Sequence, residues 1–201
     1  FRSITTYVLV GLYAISVGPL ALVIALTTRQ RSVLYWIGYI GVRLALFITG
    51  VRIRVEGLQY VLPDRSTVYC ANHASNVEPP ILYVLFRNLF PRLYIFYKAG
   101  LRKTPVLGIG FDIIGFVGIH RDDREKSAAA ITQAAVKLRN GGSFVIFPEG
   151  TRSRTNELLP FKKGGFVLAL EAQAPVTEAA EMPTAPGRLE AFFRSVTAQE
   201  A

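Results

Sequence analysis

From Ser3 to Thr28 no charged residue occurs, 26 positions in a row. Coiled as a helix, that stretch is about 39 Å long, against a bilayer hydrocarbon core of about 30 Å. A signal-peptide core is shorter, roughly 7–15 residues, which argues against a cleaved leader. Gly18-Pro19 predicts a kink, which membrane helices tolerate. Residues 1–30 are therefore expected to form a transmembrane anchor. The chain opens on Phe1 rather than Met, so a start upstream is expected.

Arg29 and Arg31 follow the apolar run at once, and only Arg2 precedes it. The positive-inside bias puts the residues after Arg29 on the cytoplasmic face. Residues 31–50 are apolar and aromatic with Arg43 near their centre. A central arginine makes a second crossing costly. The expectation is an interfacial amphipathic helix with Tyr35, Trp36 and Tyr39 at headgroup depth, a second imperfect span being the alternative.

The chain has 201 residues, 51% hydrophobic and 18% charged, with a net charge of +9. That length suits one domain with appendages, and that composition excludes a disordered chain. The last 36 residues carry two basic and five acidic side chains, so the positive charge belongs to what precedes them. A basic surface beside an apolar anchor points to lipid or phosphorylated substrates rather than nucleic acid, and no nucleic-acid recognition motif is present. One Cys and two His leave too few ligands for a Cys/His zinc site, and no cofactor is expected.

Beyond residue 50, strands are expected at 51–55, 67–71, 94–97, 116–119 and 143–147. Helices are expected to begin at Pro79 or Pro80, and over 125–140 and 165–173. Alternating strands and helices predict an α/β fold, a mixed sheet flanked by helices, with N-terminal membrane helices. The spacing of Leu189, Phe192, Phe193 and Val196 suits a terminal amphipathic helix.

Asn72-His73 and Glu78 lie between a strand and a proline-started helix. Five positions apart on a helix, His73 and Glu78 would point roughly 140° away from each other. With 72–77 as a loop, Glu78 caps the next helix and accepts the Nδ1 proton of His73. The free Nε2 can then take a proton from a hydroxyl. A second strand exit reads Phe147-Pro-Glu-Gly-Thr-Arg152. Its glycine lets backbone N–H groups approach an anion that Arg152 can hold bidentately. A third, Gly115 to Arg121, also ends in a cation. Lys98, Lys162 and Lys163 either add to this positive field or are solvated surface charges. Cys70 lies inside an apolar strand and reads as a small hydrophobe rather than a nucleophile. His120 reads as a solvated strand end.

These segments, in this order, resemble the glycerolipid acyltransferase family, which contains the lysophosphatidic acid acyltransferases. Its first block is Asn-His, four residues, then Asp; here it runs from Asn72-His73 to Glu78. Its Gly-rich strand ending in Arg matches Gly115 to Arg121, and its Phe-Pro-Glu-Gly-Thr-Arg block matches at all six positions, 147–152. Lys98, Pro105, Gly108 and the stretch Leu159-Pro-Phe-Lys-Lys-Gly-Gly165 also fall in place. The likeness covers roughly residues 50–176, and an acyltransferase domain is expected over 51–176.

The resemblance implies transfer of a fatty acyl group from acyl-CoA or acyl carrier protein to the hydroxyl of 1-acylglycerol 3-phosphate, giving phosphatidic acid. It makes His73 the base, Glu78 its orienting partner and Asn72 a loop or carbonyl-polarising residue. It makes Arg121, Glu149, Gly150, Thr151, Arg152 and Lys98 the substrate-binding residues. Two positions depart from the pattern. Glu78 replaces the family's Asp and adds a methylene, so either the loop adjusts or the relay weakens. The family's Val-Pro-rich fourth block breaks at Thr177, and 177–201 is read as a divergent or truncated tail.

Rival readings are an acyltransferase for glycerol 3-phosphate or another lyso-lipid, and a catalytically weakened membrane protein that binds lyso-lipids. A hydrolase of the nucleophile-elbow type is excluded, because no Gly-x-Ser-x-Gly occurs. Neither a P-loop nor a dinucleotide fingerprint is present.

Overall fold

The computed structural model describes residues 2–51, 53, 61–71, 73, 78–104, 106–153 and 159–180. The uncharged run folds as α1 (Arg2–Thr28), and a two-residue link leads into α2 (Arg31–Thr49), so the chain begins with a helical hairpin. Tyr13 fastens the pair, donating its hydroxyl to the Ile37 carbonyl at 2.9 Å. Gly41 is needed opposite it, since a Cβ there would come within 2.8 Å of the Tyr13 ring. Both helices are long and apolar enough to cross a membrane.

The two faces of α2 differ in kind. Tyr35 and Tyr39 are buried, whereas Trp36, Ile40, Leu44 and Phe47 are exposed. Spacings of four, four and three residues align those exposed side chains in one apolar stripe. The buried face meets the body of the protein. Tyr83 donates its hydroxyl to the Tyr35 carbonyl at 2.9 Å, Tyr35 donates back to the Tyr83 carbonyl at 3.3 Å, and Phe90 stacks on the Tyr35 ring. Arg43 does not stand alone on the helix. It donates to the Tyr39 hydroxyl at 3.2 Å and lies over that ring.

The body alternates strands and helices: β1 (Val68–Ala71), α3 (Glu78–Leu85), β2 (Leu93–Lys98), α4 (Leu107–Ile114), β3 (Val117–Ile119), α5 (Arg124–Arg139), β4 (Ser143–Ile146), α6 (Gly164–Ala172) and β5 (Val176–Ala180). The strands form one sheet in the order β3-β2-β4-β1-β5. A mixed sheet was expected. Every described pairing is instead parallel. Each strand is returned to the same end by a helical crossover, and such crossovers make parallel neighbours.

Burial on both faces follows from that architecture. Along β1 and β4, Val68, Cys70, Phe144 and Ile146 face Ala134, Ala135 and Leu138 of α5 and Phe166 and Leu168 of α6. The alternate residues Tyr69, Ala71 and Val145 face Leu82 of α3 with Phe86 and Leu89. Cys70 is 3% exposed, in keeping with its reading as a small hydrophobe. Helix α5 starts at Asp123, whose carboxylate accepts the Lys126 backbone N–H at 3.0 Å and pairs with its ammonium at 2.8 Å. Those two contacts, the ammonium first, hold the Asp123 carboxyl below its ordinary range.

Most of the expected strand at 51–55 lies outside the described residues, as does the terminal helix at 189–196. Residues 177–180, read from sequence as the start of a divergent tail, belong to β5. β1 supplies the partner that holds them in the sheet, Val68 pairing with Val176 and Ala71 with Ala180. Helix α4 and the turn at Ala99–Lys103 were not foreseen. Three glycines within 108–115 mask the helical pattern of α4.

Candidate active site

In a parallel sheet the chain leaves every strand at the same edge, and ligands collect there. The expected functional residues in the described chain follow strand ends along that edge. His73 follows β1, Glu149 to Arg152 follow β4, Lys98 ends β2, and Arg121 lies just beyond β3. β1 and β4 are neighbours, so their exits touch. Lys98 and Arg121 leave the sheet one and two strands beyond β4. At about 4.8 Å per strand, Arg121 emerges roughly 14 Å from the β1 column. It must reach back across β2 to share a ligand with Arg152.

His73 and Glu78 form the pair that their loop spacing suggests. His73 Nδ1 lies 3.0 Å from Glu78 Oε2. An ionised carboxylate can only accept, so in a neutral imidazole this contact favours the tautomer with the proton on Nδ1 and the lone pair on Nε2. The extra methylene of Glu78 is absorbed because that residue begins α3 and reaches back across the loop. Phe147 lies against the imidazole, with ring centroids 4.4 Å apart. The His73 side chain remains 16% exposed, so it is open to solvent.

The turn after β4 is closed by the Gly150 N–H donating to the Phe147 carbonyl at 2.9 Å. Gly150 has φ +66, in the left-handed region. That conformation costs a residue with a Cβ about 1–2 kcal/mol. The Lys162 side chain lies across this turn, since a Cβ on Gly150 would come within 3.2 Å of its amine. Of the two roles the sequence allows Lys162, phosphate ligand or surface charge, its position suits the first, with the amine beside the Gly-Thr-Arg turn. Thr151, Arg152, Lys98 and Arg121 are exposed at the same edge. Asn72 lies outside the described residues.

Glu149 behaves otherwise than expected. It was assigned to substrate binding, yet it is 2% exposed. Its Oε1 accepts the His73 backbone N–H at 2.7 Å and its Oε2 accepts the Leu159 backbone N–H at 3.0 Å. A buried carboxylate already engaged at both oxygens does not take up a phosphate, which carries charge of the same sign. His120 is exposed, as a solvated strand end should be.

A model of the acyltransferase family matches residues 52–180. The chain belongs to the acyltransferase family. Its catalytic-domain match therefore covers β1 through β5 and every residue placed in the site above. Among relatives, the 1-acyl-sn-glycerol-3-phosphate acyltransferase of Borreliella burgdorferi is 30% identical over 130 residues, covering 65% of this chain and 51% of that protein. The chloroplastic 1-acyl-sn-glycerol-3-phosphate acyltransferase BAT2 of Brassica napus is 33% identical over 132 residues, 65% of this chain and 37% of its own. The chain thus spans about half, or less, of the length of these relatives. The crystal structure of the 1-acyl-sn-glycerophosphate acyltransferase PlsC from Thermotoga maritima superposes with a TM-score of 0.67 at 26% identity. That likeness takes in 88% of this chain and 73% of PlsC, so it extends into the N-terminal hairpin of this chain.

Proposed function

We propose that this acyltransferase moves a fatty acyl group from a thioester, carried by coenzyme A or acyl carrier protein, to the free hydroxyl of 1-acylglycerol 3-phosphate. The observation that carries the reading is the His73–Glu78 pair at 3.0 Å beside an exposed cationic turn. His73 Nε2 takes the hydroxyl proton while the oxygen attacks the thioester carbonyl. Glu78 holds the ring in the required tautomer and offsets the imidazolium charge. Collapse of the tetrahedral intermediate expels the thiolate, and the same imidazolium returns the proton to sulfur. The products are phosphatidate and the free thiol, with no acyl-enzyme required.

Arg152, Thr151 and Gly150 are the residues we assign to the acceptor phosphate, with Lys98 reaching in from the adjoining β2 exit and Arg121 from the β3 exit beyond it. Fixing the phosphate holds the hydroxyl near the base and replaces a bimolecular encounter by an oriented one. Losing a charge-assisted contact costs about 1.5–3 kcal/mol. Arg152→Ala is accordingly expected to raise the acceptor KM about tenfold to a hundredfold, with a smaller change in kcat. Steady-state kinetics with oleoyl-CoA and lysophosphatidate check this, and an unchanged acceptor KM would remove Arg152 from the phosphate site.

The exposed stripe Trp36, Ile40, Leu44 and Phe47 supports a bilayer-embedded face opposite the face that grips the body. Arg29 and Arg31 favour the cytoplasmic side. Phe47 is 84% exposed. Its replacement by Asp is expected to weaken partition into phosphatidylglycerol vesicles by roughly tenfold or more, measured by flotation.

A further inference from the structure

The loop that carries His73 is held from one direction. Its N–H is bound by Glu149 Oε1 at 2.7 Å, and its carbonyl accepts the Ser153 N–H at 2.8 Å. Both partners lie on the segment that leaves β4, within four residues of each other. The second carboxylate oxygen of Glu149 binds Leu159, on the chain that leads into Lys162 and α6. One buried side chain therefore ties together the base loop, the cationic turn and the segment leading to the lysines.

We propose that Glu149 is a positioning residue: it fixes the backbone of His73 relative to the Arg152 turn and does not contact the substrate. The inference rests on His73 being the base. The carboxylate form is required by the donor set. Each oxygen faces one N–H, so two acceptors are needed. A glutamine supplies one oxygen and turns an NH2 group toward the other donor. An aspartate keeps both acceptors and the charge but is one methylene short of spanning the two loops. With Nδ1 held by Glu78 and the peptide held by Glu149, the imidazole has both its ring and its root fixed. Misplacing a reacting group by about 1 Å can cost a hundredfold in rate.

The test compares Glu149→Gln, Glu149→Asp, His73→Ala and the double variant His73→Ala/Glu149→Gln in vesicles with oleoyl-CoA and lysophosphatidate. Glu149→Gln is expected to lower kcat about a hundredfold while the acceptor KM stays within about threefold. Glu149→Asp should fall between it and the parent. On the His73→Ala background, Glu149→Gln should cause no further loss, because a residue acting through the base has nothing left to position. A raised acceptor KM at parental kcat would mean that Glu149 touches the substrate, and a parental kcat with parental KM would mean that it positions nothing. A further loss on the His73→Ala background would mean that it acts elsewhere. If neither single variant melts cooperatively by circular dichroism, Glu149 is a folding residue and the positioning role is overturned. A parent without His73-dependent turnover defeats the functional reading instead, which keeps the two failures apart.

Discussion

His73→Ala is expected to lower kcat by about 10²–10⁴-fold, the usual contribution of a general base, with lysophosphatidate binding retained. The imidazole stands at the sheet edge beside the Glu78 carboxylate and remains open to solvent. The phosphate contacts assigned to Arg152 do not involve it, so the acceptor affinity should hold. Single-turnover measurements with labelled oleoyl-CoA, together with a lyso-lipid binding isotherm, separate the two quantities. Equal turnover in parent and variant would mean that another group takes the proton. Glu78 supplies a companion result. Glu78→Gln keeps its length but removes the charge that balances the imidazolium, and should lose rate. Glu78→Asp restores the family's residue at a position where the longer side chain already reaches 3.0 Å. Little gain is expected from it, and a large gain would show that the present contact is suboptimal.

Phe144→Ala is expected to destabilise the domain by about 3–5 kcal/mol, the cost of emptying a large buried aromatic site. Phe144 is fully buried in β4, flanked by the rings of Tyr94 and Phe96 at centroid distances of 5.4 and 5.2 Å. β4 lies between β2 and β1 and leads directly into the Glu149 turn, so the sheet cannot close the cavity by shifting an edge strand. Native stability is typically about 5–15 kcal/mol, and the loss would be a large share of it. Chemical denaturation in detergent micelles measures the effect. Phe144→Leu should recover most of the stability, since volume is what the site lacks. A near-parental midpoint for Phe144→Ala would mean that α5 and α6 collapse onto the gap.

The parts legible in the sequence are those set by neighbours along the chain. The uncharged run and its flanking arginines announce α1 whatever surrounds them. The helix expected over 125–140, and the strand exits at 73, 121 and 149–152, are local patterns of the same kind. The His73–Glu78 pair belongs with them, because five residues and a loop suffice to bring the groups together. Glycines at 108, 110 and 115 hid α4, yet two of them have structural reasons: a Cβ on Gly108 would come within 2.2 Å of the Arg102 carbonyl, and Gly115 ends the helix at φ +92. β5 was hidden because Thr177 to Ala180 have little strand character of their own, and β1 imposes it.

Taken alone, the chain's chemistry determined its family blocks, its long uncharged N-terminal run and the pairing of His73 with Glu78. Which residues stand beside each other across the sheet was decided only by the tertiary fold. The strand order put β4 next to β1, and this alone delivers the Glu149 carboxylate to a backbone N–H 76 positions away. A motif states which side chains are present, whereas a buried carboxylate is assigned by the donors that surround it, and those come from distant loops. The same reason separates Arg152, one strand from the base, from Arg121, three strands away.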